Sequence, residues 1–134
     1  MTELKLLVAS DETAPLSLLA VAGLSAVPLT VHPNPILTPP VLVLTNGTKL
    51  RGVNVLVRYL GRTSTTIPSL YQRDALETAQ IDEYEEYASI FSIGSEYEGA
   101  CKYVDGYLLH HTFLVGQSLS VADIVVWSYL AGRD

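Results

Sequence analysis

"LVGQSLSVADIVVWSYLAG", residues 114–132, contains the most legible junction of the chain. Ser120 and Asp123 stand three apart, immediately ahead of an apolar run. That is the spacing of a capping box: the serine oxygen accepts from a backbone N–H near Asp123, and the carboxylate reaches back to the N–H of Ser120. An acid in the first turn also suits the helix dipole. A helix end capped from both sides in this way is one that lies inside the protein, where water cannot satisfy its amides. The spacing therefore predicts a buried helix after Ser120. Ser120 and Asp123 read as structural rather than catalytic, and Trp127 and Tyr129 as core and edge packing.

Working back from that helix, "SEYEGACKYVDGYLLHH" (95–111) reads as a second helix, weakened by Gly99 and Gly106, whose small size would permit close helix packing. His110 and His111 suit its C-terminal end, where a cation meets the dipole. Before it, "DALETAQIDEYEEYASIF" (74–91) places Leu76, Ile81, Tyr84, Ala88 and Phe91 at helical spacing. The acids Glu77, Asp82, Glu83, Glu85 and Glu86 are left to a solvated face. "RTSTTIPSLYQR" (62–73) is a polar linker. The boundary falls there, between residues 1–66 and 67–134.

The first half has a different rhythm. "LKLLVA" (4–9) and "VPLTVH" (27–32) read as strands around a helix capped by Thr13, with Pro15 in its first turn and Gly23 ending it. "PNPILTPP" is too rich in proline for a helix or a central strand. "VLVL" (41–44) and "KLRG" flank an Asn46-Gly47 turn and form a hairpin. Asn46-Gly47-Thr48 also matches a glycosylation acceptor, but with no secretory leader it reads as the turn. "VNVLVRYLG" (53–61) places Val53, Leu56, Val57 and Leu60 on one side of a helix. The order is β-α-β-loop-β-β-α followed by helices, an α+β half joined to an all-α half.

Composition narrows the function. The chain has 134 residues, 49% hydrophobic and 16% charged, enough for packed cores. A net charge of −6 repels phosphate and excludes direct nucleic-acid binding as the expected role. One cysteine, Cys101, permits no internal disulfide and fits a reducing compartment. It reads as a small buried hydrophobe rather than a nucleophile. The three histidines form no ligand spacing, so no metal is expected. There is no glycine-rich phosphate loop and no Ser/His/Asp set. "MTELKLLVAS" is not a leader, and no apolar run approaches the roughly 20 residues of a membrane span.

"PPVLVL…VNVLVRYLGR" followed by "GQSLSVADI" resembles the glutathione-transferase-like fold, a thioredoxin-like half joined to a helical half, over nearly the whole chain. The resemblance gives Pro40 the role of the family's cis-proline ahead of the third strand. It also marks departures. In active transferases the helix after the hairpin begins with an acid or amide and a serine that hold glutathione. Here those positions are Gly52 and Val53. The first strand should lead to a thiol-activating Tyr, Ser or Cys, and only Ser10 and Thr13 stand in that region. "HPNPILTPP" replaces a helix that walls the glutathione site.

"IDEYEEYA" and "LVGQSLSVADIVVWSYLAG" carry a narrower resemblance, to the N-terminal domains of this fold appended to eukaryotic cytosolic aminoacyl-tRNA synthetases, glutamyl- and glutamyl-prolyl-tRNA synthetases in particular. The resemblance implies a non-catalytic, cofactor-free docking domain in the cytoplasm. Its partners would be like domains of other synthetases or scaffold proteins, with a homodimer possible in isolation. Adenylate-forming signatures are absent from this stretch and would belong to a longer parent ligase. Arg51, Arg58 and Tyr84 are interface candidates on the helices containing Val53–Leu60 and Ile81–Phe91. Arg133 is the candidate at the end of the last helix. A free-standing scaffold or elongation-factor protein of this fold, or a divergent glutathione transferase, are the alternatives.

Overall fold

The computed structural model describes residues 4–8, 14–33, 40–63 and 69–131. The chain divides into two compact units, Met1–Thr66 and Ile67–Asp134. The first holds β1 (Leu4–Val8), α1 (Leu16–Leu24), β2 (Leu29–Pro33), β3 (Val41–Val43), β4 (Lys49–Arg51) and α2 (Val53–Thr63). The second holds α3 (Ala75–Tyr87), a 3-10 turn (Ala88–Ser92), α4 (Gly94–Leu108) and α5 (Val121–Leu130). The element order is the one that the alternation of patterns predicts.

In the first unit the strands lie in the order β2-β1-β3-β4. β1 pairs in parallel with β2, Leu6 opposite Val31, and antiparallel with β3, Leu6 opposite Leu42. A parallel neighbour needs a crossover, and α1 supplies it. The β3–β4 hairpin closes through Asn46 and Gly47. Asn46 Oδ1 accepts from Thr48 N at 3.0 Å, and Gly47 adopts φ 89°. Helices α1 and α2 pack on each other through stripes of the same spacing, Ser17, Leu18, Val21 and Ala22 against Leu56, Val57, Leu60 and Gly61. A bond from Ser25 Oγ to the Leu60 carbonyl at 3.2 Å ties the end of α1 to α2.

The ends of α1 differ from expectation. Pro15 occupies the N-cap position with no side-chain cap, and the helix continues through Gly23 to Leu24. The turn is made instead by Ala26 at φ 56°. Thr13, the expected cap, lies outside the described residues, as do Ser10, most of the proline-rich stretch, and Arg133.

In the second unit Asp74 caps α3, accepting from Glu77 N at 2.8 Å. Ile81, Tyr84, Ala88 and Phe91 are buried, whereas Leu76 is 68% exposed. Glu85 is a correction to the solvated face: it is 1% exposed. It sits four residues after Ile81, so the helical repeat puts it on the buried stripe despite its charge. Trp127 corrects the reading as core packing: it is 49% exposed, while its neighbours Val125, Val126 and Ser128 are buried. Gly99 and Gly106 meet nothing within 4 Å of where a Cβ would stand, so neither serves close packing.

Glycine therefore has opposite meanings at two places. Gly99→Ala should stabilise the chain by about 0.5–1 kcal/mol, by removing helix-disfavouring freedom at an open site. Gly52, at φ 98° between β4 and α2, has equal space around it but a left-handed backbone. Gly52→Ala should cost about 1–2 kcal/mol. Urea midpoints of the two variants check both signs.

Candidate functional site

Two places concentrate polar geometry: the hairpin corner of the first unit and the start of α5 in the second.

At the corner, Pro40 directly precedes β3, and its carbonyl accepts from Gly52 N at 3.0 Å. The Gly52 carbonyl then accepts from Leu56 N at 3.0 Å, so Gly52 is both a strand partner and the start of α2. Neither Gly52 nor Val53 offers a side-chain donor or acceptor, and the first turn of α2 contains no acid. Its first polar side chain is Asn54. Arg51 ends β4 and is exposed, and Arg58 lies half-buried on α2. The corner is a backbone junction. It can orient a strand and a helix, and among the described residues Gly52 and Val53 bring no group for acid–base or nucleophilic chemistry to it.

The start of α5 is denser. Ser120 Oγ accepts from Ala122 N at 3.2 Å, and Asp123 Oδ2 accepts from Ser120 N at 3.1 Å. The other carboxylate oxygen, Oδ1, accepts from Leu114 N at 3.0 Å. One carboxylate thus pins both ends of the 114–120 loop. Arg73, from the chain ahead of α3, reaches the same loop. Its Nη2 donates to the Leu119 carbonyl at 2.7 Å, its Nη1 to the Val115 carbonyl at 3.4 Å, and its Nε to the Ser69 carbonyl at 2.8 Å. Glu77 Oε1 lies 3.3 Å from Nη1. The loop runs so close to Glu77 that a Cβ on Gly116 (φ 64°) would meet Glu77 Oε1 at 2.8 Å.

Sequence reasoning missed Arg73. It sits in the stretch read as linker, where Leu70 and Tyr71 are also buried. The missed signal was the aromatic and aliphatic pair next to a lone arginine, just before the Asp74 cap.

Burial holds the Asp123 carboxyl above its ordinary value, outweighing the amide bonds from Leu114 and Ser120 and the charge of Arg73. In α3, Tyr84 is 9% exposed. Burial and the hydroxyls of Tyr103 and Tyr107 push its phenol well above the usual range. As an interface candidate it is therefore mostly covered. Cys101 is half-buried in α4. A hydrogen bond with Cys101 raises the Tyr97 phenol. Among the described residues no three of His, Cys, Asp and Glu gather as a metal site, and no helix is long and apolar enough to cross a membrane.

No family model matches the chain. Over 122 residues, 90% of its length, it is 48% identical to the cytoplasmic glutamate–tRNA ligase of Arabidopsis thaliana. Over 82 residues it is 36% identical to the bifunctional glutamate/proline–tRNA ligase of Cricetulus griseus. The chain spans only 17% and 5% of the length of these relatives. Among solved structures it is similar to a glutathione transferase domain-containing protein of Marinobacter aquaeolei, at TM-score 0.79 and 19% identity over 95% of this chain and 85% of that one. It is also similar to the theta class glutathione transferase of Xanthomonas axonopodis pv. citri with glutathione bound, at TM-score 0.75 and 17% identity over 97% and 80%. At that identity the structures establish the fold alone.

Two measurements test the loop clamp. Arg73→Ala leaves the carbonyls of Ser69, Val115 and Leu119 without their charged donor and should cost about 1.5–3 kcal/mol in urea unfolding, the scale of hydrogen bonds to a charged group. The raised Asp123 value means that the folded chain holds this proton more tightly than the unfolded chain. Its contribution is complete below the ordinary value of 3.8 and lost as pH rises through the raised folded value. Stability relative to Asp123→Asn should therefore fall across that window, and a rise there would mean that the hydrogen bonds outweigh burial.

Proposed function

We propose, for a chain that is a glutathione-transferase-like domain related to a segment of the cytosolic glutamate–tRNA ligases, that it is a non-catalytic docking module of such a ligase. The observation that carries this is the hairpin corner. The fold is kept, with Pro40, the hairpin and α2 in place, but Gly52 and Val53 leave no side chain to grip a ligand. The kinship to a small part of a large enzyme supports the same reading. In it, adenylate chemistry and ATP belong to the rest of the parent, which works in the cytoplasm on glutamate and its tRNA. This piece, net acidic, leaves nucleic acid and membrane alone.

Its partners are other domains of the same fold, on synthetases or scaffold proteins, or a second copy when it is isolated. The proposed contacts are Arg51 and Arg58, flanking and on α2, together with Arg133 beyond α5. Tyr84, being covered, has at most its hydroxyl edge to offer. A guanidinium on a helix face is suited to carboxylates and aromatic faces across an interface, where a few anchors carry most of the affinity.

The first test is the mass of the native polypeptide detected in cytosol by an antibody to residues 1–134. A mass several times 14.6 kDa supports an appended domain, and a mass near it favours the free-standing alternative. In pull-downs of the native polypeptide, Arg58→Ala should weaken capture of a partner of like fold by about tenfold, the scale of a single interface anchor. Unchanged capture for Arg51, Arg58 and Arg133 variants alike removes these assignments. A saturable thermal shift with millimolar glutathione would instead favour a divergent transferase.

A further inference from the structure

The second unit contains a small hollow beside Tyr84 that the arginine contacts proposed above do not use. It lies between α3 and α4, has a volume of about 180 Å³, and is lined by Glu83, Tyr84, Tyr87 and Tyr103. The Tyr87 and Tyr103 rings meet at 61° with centroids 5.6 Å apart, so two aromatic planes form a corner. Glu83, on the exposed side of α3, places a carboxylate at its rim. Tyr103 is 56% exposed, so the corner is open to an incoming group.

Three tyrosine rings and one carboxylate, with no cationic side chain among them, make a surface for a positive charge. Ring faces attract cations through their quadrupole, and a carboxylate at the rim adds direct charge pairing. Glu96, in the first turn of α4, adds a like charge that acts on Tyr87, and Lys102, next to Tyr103 in the chain, is paired with Glu98. Tyr84 stays a neutral phenol through the working pH range, because burial holds its proton.

Size and shape choose among cations. Pockets for cofactors and drug-sized ligands run from roughly 300 Å³ upward, so this one suits the end of a single side chain. Two planes meeting at an angle favour a flat group that stacks on one ring while donating to a carboxylate in its own plane. Guanidinium does this and ammonium does not.

We propose that the α3–α4 hollow is a receptor for one arginine side chain of a basic segment on a partner protein, with Glu83 as its counter-charge and Tyr87 and Tyr103 as its stacking walls. This site shares Tyr84 with the docking candidates but needs none of Arg51, Arg58 and Arg133, so its test is separate from theirs.

The test is an NMR titration of the full 134-residue chain, following tyrosine ring and backbone amide signals. The probes are three acetylated tripeptide amides, Gly-Arg-Gly, Gly-Lys-Gly and Gly-citrulline-Gly, each taken into the millimolar range. The arginine peptide should move the Tyr84, Tyr87 and Tyr103 signals along a saturable curve. The citrulline peptide, of equal shape without the charge, should not. Glu83→Gln and Tyr103→Leu, both at exposed positions, should each weaken the arginine peptide by about tenfold. Glu98→Gln, away from the hollow, should leave it unchanged. If Tyr103→Leu fails to fold, Glu83→Gln decides alone. Equal binding of the citrulline peptide, unchanged affinity in Glu83→Gln, or shifts spread over every acidic residue without saturation at the tyrosines would overturn the site. Equal affinity for the lysine peptide would overturn the choice of arginine.

Discussion

Burying the start of a helix leaves amide donors that water cannot reach, and the second unit is arranged around meeting that demand at α5. Asp123 satisfies Ser120 N with one oxygen and Leu114 N with the other, which fixes both ends of the loop between them. The carbonyls of that loop then need donors, and Arg73 supplies them from the chain ahead of α3. Both charges bond the backbone of one loop rather than each other, Asp123 through its amides and Arg73 through its carbonyls. Burial alone would disfavour the carboxylate here, and the cation nearby lessens that penalty without cancelling it. Val121, Ala122, Val125 and Val126 can then be fully covered, because the polar end of their helix is already satisfied.

Much of this was legible in the sequence, because its signals are local. The capping box is a pattern of four residues, the hairpin turn one of two, and the stripe on α2 recurs within one or two turns, whereas α1 buries Ser17, Leu18, Val21 and Ala22 rather than the Leu16, Leu19 and Ala20 that its spacing suggested. What escaped was decided by contacts far apart in the chain. Arg73 looks like a surface cation until Val115 and Leu119 are placed 42 and 46 residues away in sequence. Glu85 looks solvated because charge usually outranks phase in a helical pattern, and here phase prevails. Trp127 looks buried because its neighbours are, yet α5 keeps an outward side, and Trp127 shares it with Leu130. Tyr84 was read both as core and as contact, and its 9% exposure makes it mostly the former.

The hairpin corner shows how the requirements of a fold and those of a ligand separate. The backbone at position 52 turns through φ 98° to join β4 to α2, which glycine does without strain. Once that turn is made by glycine, the junction holds itself through the Pro40 carbonyl and the Leu56 amide. Nothing in the stability of the unit calls for a polar side chain there. The bonds that keep the shape of this corner run between backbone atoms, so they do not depend on which side chains stand at positions 52 and 53.

The exposed indole on α5 has an optical consequence. Trp127 is the only tryptophan in the chain, and it stands half in water between buried neighbours on a capped helix. Its emission therefore reports one face of one helix, without the averaging that several indoles would impose. Whatever comes to cover that face displaces water from the ring and shifts the emission to shorter wavelength, so the molecule carries its own unlabelled reporter of occupancy at the end of α5.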